Sequence, residues 1–125
     1  MNDLTRAAQA LSDDTRLRII NVVTHHECCV CEVMQALLIG QTRASRNLKI
    51  LFDAGFLNQR IDGIYTVYSI KDLCEDDFRK DLLLAVRKKL RVAPLAQEDL
   101  NRLGKASRVG VISKSHEEES QCCRL

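Results

Sequence analysis

Three breaks in close succession constrain this chain more than anything else in it: Gly40, Gly55 and the Asp62-Gly63 pair. Between the first two lies one helix-sized segment, from Gln41 or Thr42 to Ala54. Ala44, Leu48, Leu51 and Phe52 fall on its inward face, and Gln41, Thr42, Ser45, Arg46 and Lys49 on the other. Upstream, Cys29 or Val30 to Ile39 reads as a helix with Val30, Val33, Met34, Leu37 and Leu38 apolar and Gly40 as its C-cap. Downstream, Phe56–Ile61 and Ile64–Ile70 are rich in β-branched and aromatic residues. The Asp62-Gly63 pair between them predicts a tight hairpin, because a type I′ turn needs positive φ at both central residues. Two helices joined by a glycine turn, the second polar-faced and basic, followed at once by a hairpin, make a winged helix-turn-helix. The expected fold is therefore mainly α with a β-hairpin wing, about five to six helices plus two antiparallel strands.

The flanking segments supply the other helices. Asn2 or Asp3 can cap a first helix whose Leu4, Ala7, Ala8 and Leu11 form an apolar stripe. Ser12-Asp13-Asp14 caps a second, Thr15 to Thr24, with Leu17, Ile19, Ile20, Val22 and Val23 facing a core. Cys74-Glu75-Asp76-Asp77 opens a long helix to about Val92, and Pro94 opens a shorter one through Leu103. Residues 1–104 read as one DNA-binding and dimerisation domain. Residues 105–125, rich in Ser, Gly and charge, read as a flexible tail ending in Cys122-Cys123. The first and the long helix carry more apolar surface than one small domain can bury, so a homodimer is expected.

Composition excludes several classes. No run approaches ~20 consecutive apolar residues, so no membrane span is expected. Asp3 lies early and no apolar core follows it, which argues against a secretory signal and for a cytoplasmic, reducing setting. There, clustered cysteines point to metal or redox chemistry rather than structural disulfides. Net charge is only +2, but from Gln41 to Arg60 the basic residues Arg43, Arg46, Lys49 and Arg60 face Asp53 alone. A locally basic stretch in a near-neutral chain fits a small nucleic-acid footprint, with Arg60 at the hairpin meeting a phosphate or a minor groove.

Three of the six cysteines sit in His25-His26-Glu27-Cys28-Cys29-Val30-Cys31, just upstream of the DNA-reading helix. Soft thiolates select soft ions. On a regular helix Cys28 and Cys31 share a face, whereas Cys29 and Cys31 do not unless the first turn is distorted. A helix N-terminus should lower thiol pKa and favour the thiolates. His25 and His26 read as solvated loop residues able to add a borderline ligand. Cys28-x-x-Cys31 also has the spacing of a thiol oxidoreductase, but that motif follows a strand in α/β chains, and here it lies between helices.

With these motifs in place, the chain resembles the ArsR/SmtB family of metal-responsive winged-helix repressors over about residues 4 to 92. Ala10-Leu11-Ser12-Asp13-Asp14-Thr15-Arg16-Leu17-Arg18-Ile19 is similar to the family's LADPTRLRIL. Glu27-Cys28-Cys29-Val30-Cys31-Glu32-Val33 resembles its ELCVCDL metal box, and Gln41-Thr42-Arg43-Ala44-Ser45-Arg46-Asn47-Leu48 its SQPTVSRHL recognition helix. Cys28 stands where Leu is usual, Asn47 where His is usual, and Met34 where arsenic sensors of one class carry a third cysteine. No histidine occurs between His26 and His116, so the family's zinc-type site on the long helix is not expected.

The resemblance implies a repressor rather than an enzyme. It would bind double-stranded operator DNA in its apo form and be released when As(III) or Sb(III) binds a thiolate cluster. Cd(II), Pb(II) or Zn(II) are the alternative inducers, and a thiol-redox switch, a thiol oxidoreductase or a metal-storage protein the alternative readings. The expected ion ligands are Cys28, Cys29 and Cys31, with Cys122 or Cys123 as further candidates for the third sulfur. The expected DNA contacts are Gln41, Thr42, Arg43, Ser45, Arg46, Lys49 and Arg60.

Overall fold

The structure, a computed structural model, describes residues 2–108. Among these residues six helices and three short strands follow in the order α1 (Asn2–Ala10), α2 (Asp14–His25), β1 (Cys28–Cys29), α3 (Val30–Leu37), α4 (Gln41–Asp53), β2 (Leu57–Asp62), β3 (Tyr65–Ile70), α5 (Phe78–Leu90) and α6 (Pro94–Leu103). This is the winged helix-turn-helix expected, with one strand more. Among the described residues no helix is long and apolar enough to cross a membrane.

The core lies where α2, α3 and α4 meet the sheet. Ile19, Ile20, Val22, Val30, Val33, Leu37, Leu48, Leu51 and Phe56 are essentially without exposed surface. Each such side chain contributes about 1.5–3 kcal/mol by leaving water. Asp13 caps α2, its carboxylate accepting the Arg16 N–H at 3.2 Å. Asp77 caps α5 in the same way through Arg79, so the long helix starts at Phe78 rather than near Cys74.

The turn between α3 and α4 differs from expectation. Gly40 is the N-cap of α4 with φ −78, and the left-handed residue that ends α3 is Leu38, at φ 58 and ψ 49. The αL step leaves carbonyls at the end of α3 without helical partners. Two arginines from elsewhere satisfy them: Arg102 Nε donates to Ala36 O at 2.7 Å and Arg18 Nη2 to Leu37 O at 3.0 Å. Both guanidiniums are oriented by Asp99, fully buried, which accepts from Arg18 twice at 2.8 Å and from Arg102 at 2.7 Å. A buried carboxylate on α6 thus fixes the turn that sets α4 against α3.

The hairpin is one residue out of the expected register. Asp62 pairs with Tyr65, so the two-residue loop is Gly63-Ile64, and only Gly63 has positive φ, +66. Glycine at the first central position belongs to the type II′ class, not type I′. Gly55, at φ +92, ends α4, and a Cβ there would lie 2.8 Å from Arg79 Nε, which is already engaged with Ala54 O.

The third strand is β1. It pairs antiparallel with β3, Cys28 opposite Tyr68 and Cys29 opposite Val67, giving the order β1-β3-β2. Two residues carry too little pattern to announce a strand, and the expected helix start at Cys29 concealed it. On α4 the inward face holds Asn47, not Phe52. Asn47 is buried and bonded to Arg43 O and Arg16, while Phe52 is exposed. Leu4 on α1, Leu84 on α5, and Val92 and Leu95 beyond it remain exposed in the single chain.

Candidate functional site

Successive residues of a strand point to opposite faces of a sheet, and β3 uses both faces. Tyr68, with its cross-strand neighbour Gln59, looks toward α4; Tyr65 and Val67 look the other way.

On the first side lies a groove of about 740 Å³ lined by Gln41, Thr42, Ser45, Arg46, Lys49, Phe52, Gln59 and Tyr68. Five of the seven expected DNA contacts are gathered here: Gln41, Thr42, Ser45, Arg46 and Lys49. They come from the exposed stripe of one helix, which the 3.6-residue period makes continuous. Among the described residues Ser45 Oγ, buried against the groove, has no hydrogen-bond partner. Lys49 is held by Asp53 at 3.3 Å on the rim. Arg43 does not join them, because its guanidinium turns back to donate to Thr15 Oγ1 at 2.6 Å. Arg60 does not either: it sits opposite Val67, away from the hairpin tip, and is ion-paired with Glu27 and with Asp62. Gln59, Phe52 and Tyr68 were not anticipated. Gln59 follows from the true hairpin register, which the shifted turn obscured.

On the second side Cys29, Cys31, Tyr65 and Val67 form a small buried cluster. The helix begins at Val30, so Cys29 is its extended N-cap, at φ −84 and ψ 174, and not part of a turn. That is how two cysteines that a regular helix would separate enter one cluster. Cys29 and Glu32 form a capping box, the Glu32 carboxylate accepting the Cys29 N–H at 2.9 Å. Cys28 points the opposite way, into the main core with Tyr68. Among the described residues no group of three or more His, Cys, Asp or Glu side chains is placed to hold a metal ion. Cys122 and Cys123 lie outside the described residues. Cys31 is disulfide-bonded here, Cys28 is a free buried thiol and Cys74 a free exposed one.

The thiols are not activated by the helix terminus. Burial pushes Cys29 up to about 11, against the opposing pull of the Glu32 and Cys31 backbone N–H groups. Burial, then the Glu32 carboxylate, pushes Cys28 up further. Desolvation therefore outweighs the helix dipole, which acts over the first turn only. His25 and His26 are exposed, with Nδ1 atoms 3.0 Å from Asn21 O and 2.5 Å from Glu27 O.

A lid of charge covers this second side. Arg108 Nη1 donates to Asp62 at 2.8 Å, its Nε reaches Glu32 at 3.4 Å, and its guanidinium carbon lies 5.5 Å from the Tyr65 ring centre. The preceding residue is fixed to α3: Gln35 donates to Ser107 O at 2.7 Å and accepts from Ser107 N at 3.2 Å. Residues 105–108, assigned in the sequence to the tail, thus carry specific contacts. Composition gives no sign of this, since Arg108 resembles any basic residue in a polar stretch.

A family profile described as bacterial regulatory protein, arsR family, matches residues 13–59, from the α2 cap into the wing. The chain is 35% identical over 71 residues to a homolog of the cadmium resistance transcriptional regulatory protein CadC of Staphylococcus aureus, covering 56% of this chain and 59% of that protein. It is 38% identical over 63 residues to an arsenic resistance transcriptional regulator of Pseudomonas putida, covering 50% and 49%. It is 34% identical over 65 residues to an uncharacterized HTH-type transcriptional regulator of Methanocaldococcus jannaschii, covering 51% and 73%. The matched stretch thus spans about half to three fifths of the two metal-resistance regulators. No solved structure matches.

Proposed function

Because the chain belongs to the arsR family of bacterial regulatory proteins, we propose that it is a metal-responsive transcriptional repressor, homodimeric and bound to operator DNA in its apo form. Thiophilic ions, arsenite or antimonite first, release it. The observation that carries this reading is the two-sided strand β3: a basic-rimmed groove lies on one face and the Cys29/Cys31 cluster on the other. In the groove, Ser45 and Arg46 address the major groove, with Gln41, Thr42, Lys49 and the newly found Gln59 around them. The exposed leucines of α1 and α5 suit a second copy.

Cys29 and Cys31 would supply two sulfurs to the ion. The third would come from Cys28, after a rearrangement of β1, or from Cys122 or Cys123, which follow Arg108 by 14 and 15 residues. Burial favours the trivalent ions. Three thiols condensed on arsenous acid give a neutral complex, whereas three thiolates on a divalent ion leave a net negative charge, and an uncompensated charge is costly in a buried cluster. Cys28 and Cys29 are 0% exposed and Cys31 3%.

The test selects a binding site from random-sequence DNA and measures its release by arsenite under reducing conditions. Replacing Cys29 and Cys31 together by Ser is expected to leave DNA affinity intact and abolish release; undiminished release overturns the reading. The disulfide at Cys31 favours a second reading, a thiol-redox switch. That reading instead requires release by an oxidant alone, reversed by dithiothreitol.

A further inference from the structure

The charged residues above the cysteine cluster form an unbroken series across four segments: Glu27, Arg60, Asp62, Arg108 and Glu32. Glu27 precedes β1, Arg60 and Asp62 belong to the wing, and Glu32 lies in the first turn of α3. Arg108 belongs to neither the wing nor the cysteine box, and it joins the two. Glu32 Oε1 is shared: it accepts the Cys29 N–H and lies 3.4 Å from Arg108 Nε. A change in the backbone at Cys29 therefore reaches Arg108 through a single oxygen atom. Arg108 in turn grips Asp62, the last residue of β2, next to the wing loop, and covers Tyr65. Arg108 also holds the Asp62 carboxyl below the usual carboxylate range.

We propose that Arg108 is a positioning residue for regulated DNA binding: it clamps the wing to the cysteine box in the DNA-binding form, and occupation of the box releases the wing by disturbing the Glu32–Arg108–Asp62 bridge. This rests on the repressor reading above. Drawing Cys29 and Cys31 onto one ion must alter the cap at Cys29, whose amide and sulfur form the capping box. Glu32 then shifts, Arg108 cannot serve both carboxylates, and the wing loses its tie to α3. The other wing contacts on this side, Arg60 with Glu27 and the pairing of β1 with β3 at Val67 and Tyr68, lie below the loop and hold the base of the wing. The wing tip is consequently the part set free.

The experiment compares wild type, Arg108→Ala, Arg108→Lys and Asp62→Asn, as full chains under reducing conditions, on a DNA site selected with the wild type. DNA affinity is measured with and without arsenite, and arsenite affinity is measured without DNA. In Arg108→Ala the ratio of the two DNA affinities is expected to shrink by roughly tenfold, a size typical of residues that carry coupling between sites. Arsenite affinity should stay within about twofold of wild type, because the trivalent complex is neutral and Arg108 donates no ligand. Asp62→Asn should shrink the ratio likewise, and Arg108→Lys should restore part of it. Amide exchange over residues 60–67 should speed up in arsenite-bound wild type and in ligand-free Arg108→Ala. A merely structural role for Arg108 would lower affinity with and without arsenite equally and leave the ratio unchanged, which overturns the proposal. Wild-type protein that arsenite does not release would instead overturn the repressor reading.

Discussion

Protonation is the sharpest test of how the cysteine box chooses its ion. The perturbation is an exchange of arsenite for Cd(II), followed across pH. Burial holds the Cys29 thiol at about 11 against an ordinary 9.0. Ionising it at neutral pH therefore costs about 2.7 kcal/mol more than for an ordinary cysteine, roughly a hundredfold in affinity for any ligand that needs the thiolate. Arsenous acid does not need it as a free ion. Each S–H condenses with one As–OH, forming an As–S bond and a water, so three steps yield a neutral complex and release no proton. Cd(II) must expel every thiol proton, about three per ion, and its affinity should climb steeply with pH. Titration calorimetry in two buffers of different ionisation enthalpy counts the protons. Arsenite binding should release about none and vary little between about pH 6 and 8, while Cd(II) should release about three. Arsenite releasing as many protons as Cd(II) would show that it binds thiolates by displacing their protons, contrary to the condensation above.

Other consequences follow from the same contacts. Asp99→Ala leaves two guanidiniums at a buried site without their carboxylate and loosens the turn before α4; a loss of at least about 3 kcal/mol is expected in urea denaturation. Leu38→Gly should stabilise the chain by about 1 kcal/mol in the same assay, since Leu38 is 71% exposed and holds a left-handed conformation that disfavours a side chain. Raised thiol pKa values mean that the unfolded chain ionises first: stability from Cys29 is complete below about pH 9 and is lost as pH rises through about 11, and that from Cys28 is lost over a window reaching higher pH still, a slope that Cys28→Ala and Cys29→Ala should flatten in denaturation curves at pH 8 and 10.5. Arg46→Ala should weaken binding to selected DNA at least tenfold and Arg43→Ala much less, because Arg43 spends its guanidinium on Thr15.

The helices and the wing were legible because their signals are local. Glycines and Asp-Gly mark stops and turns, and a 3.6-residue apolar period survives in α2 and α4. What the sequence misplaced depends on partners distant in the chain. Leu38 can take the left-handed position because Asp99, 61 residues on, orients two arginines onto the freed carbonyls. β1 exists because β3 offers an edge, not because Cys28-Cys29 prefers a strand. That Cys29, rather than Cys28, shares a cluster with Cys31 follows from that strand. Arg43 was expected at DNA by its charge and Arg60 by its charge and its place in the hairpin; only their neighbours Thr15 and Glu27 show that both guanidiniums are engaged in the single chain. The polar stripe on α4 was predictable because a single helix carries it.

On this reading the two faces of β3 are energetically linked. Coupling between two binding sites is reciprocal, so a single cycle tests it: DNA affinity with and without arsenite, and arsenite affinity with and without DNA, on reduced wild-type protein. Arsenite is expected to lower DNA affinity by about a hundredfold, within the range of known coupling energies, and DNA to lower arsenite affinity by the same factor. Equal DNA affinity in the presence and absence of saturating arsenite would contradict it.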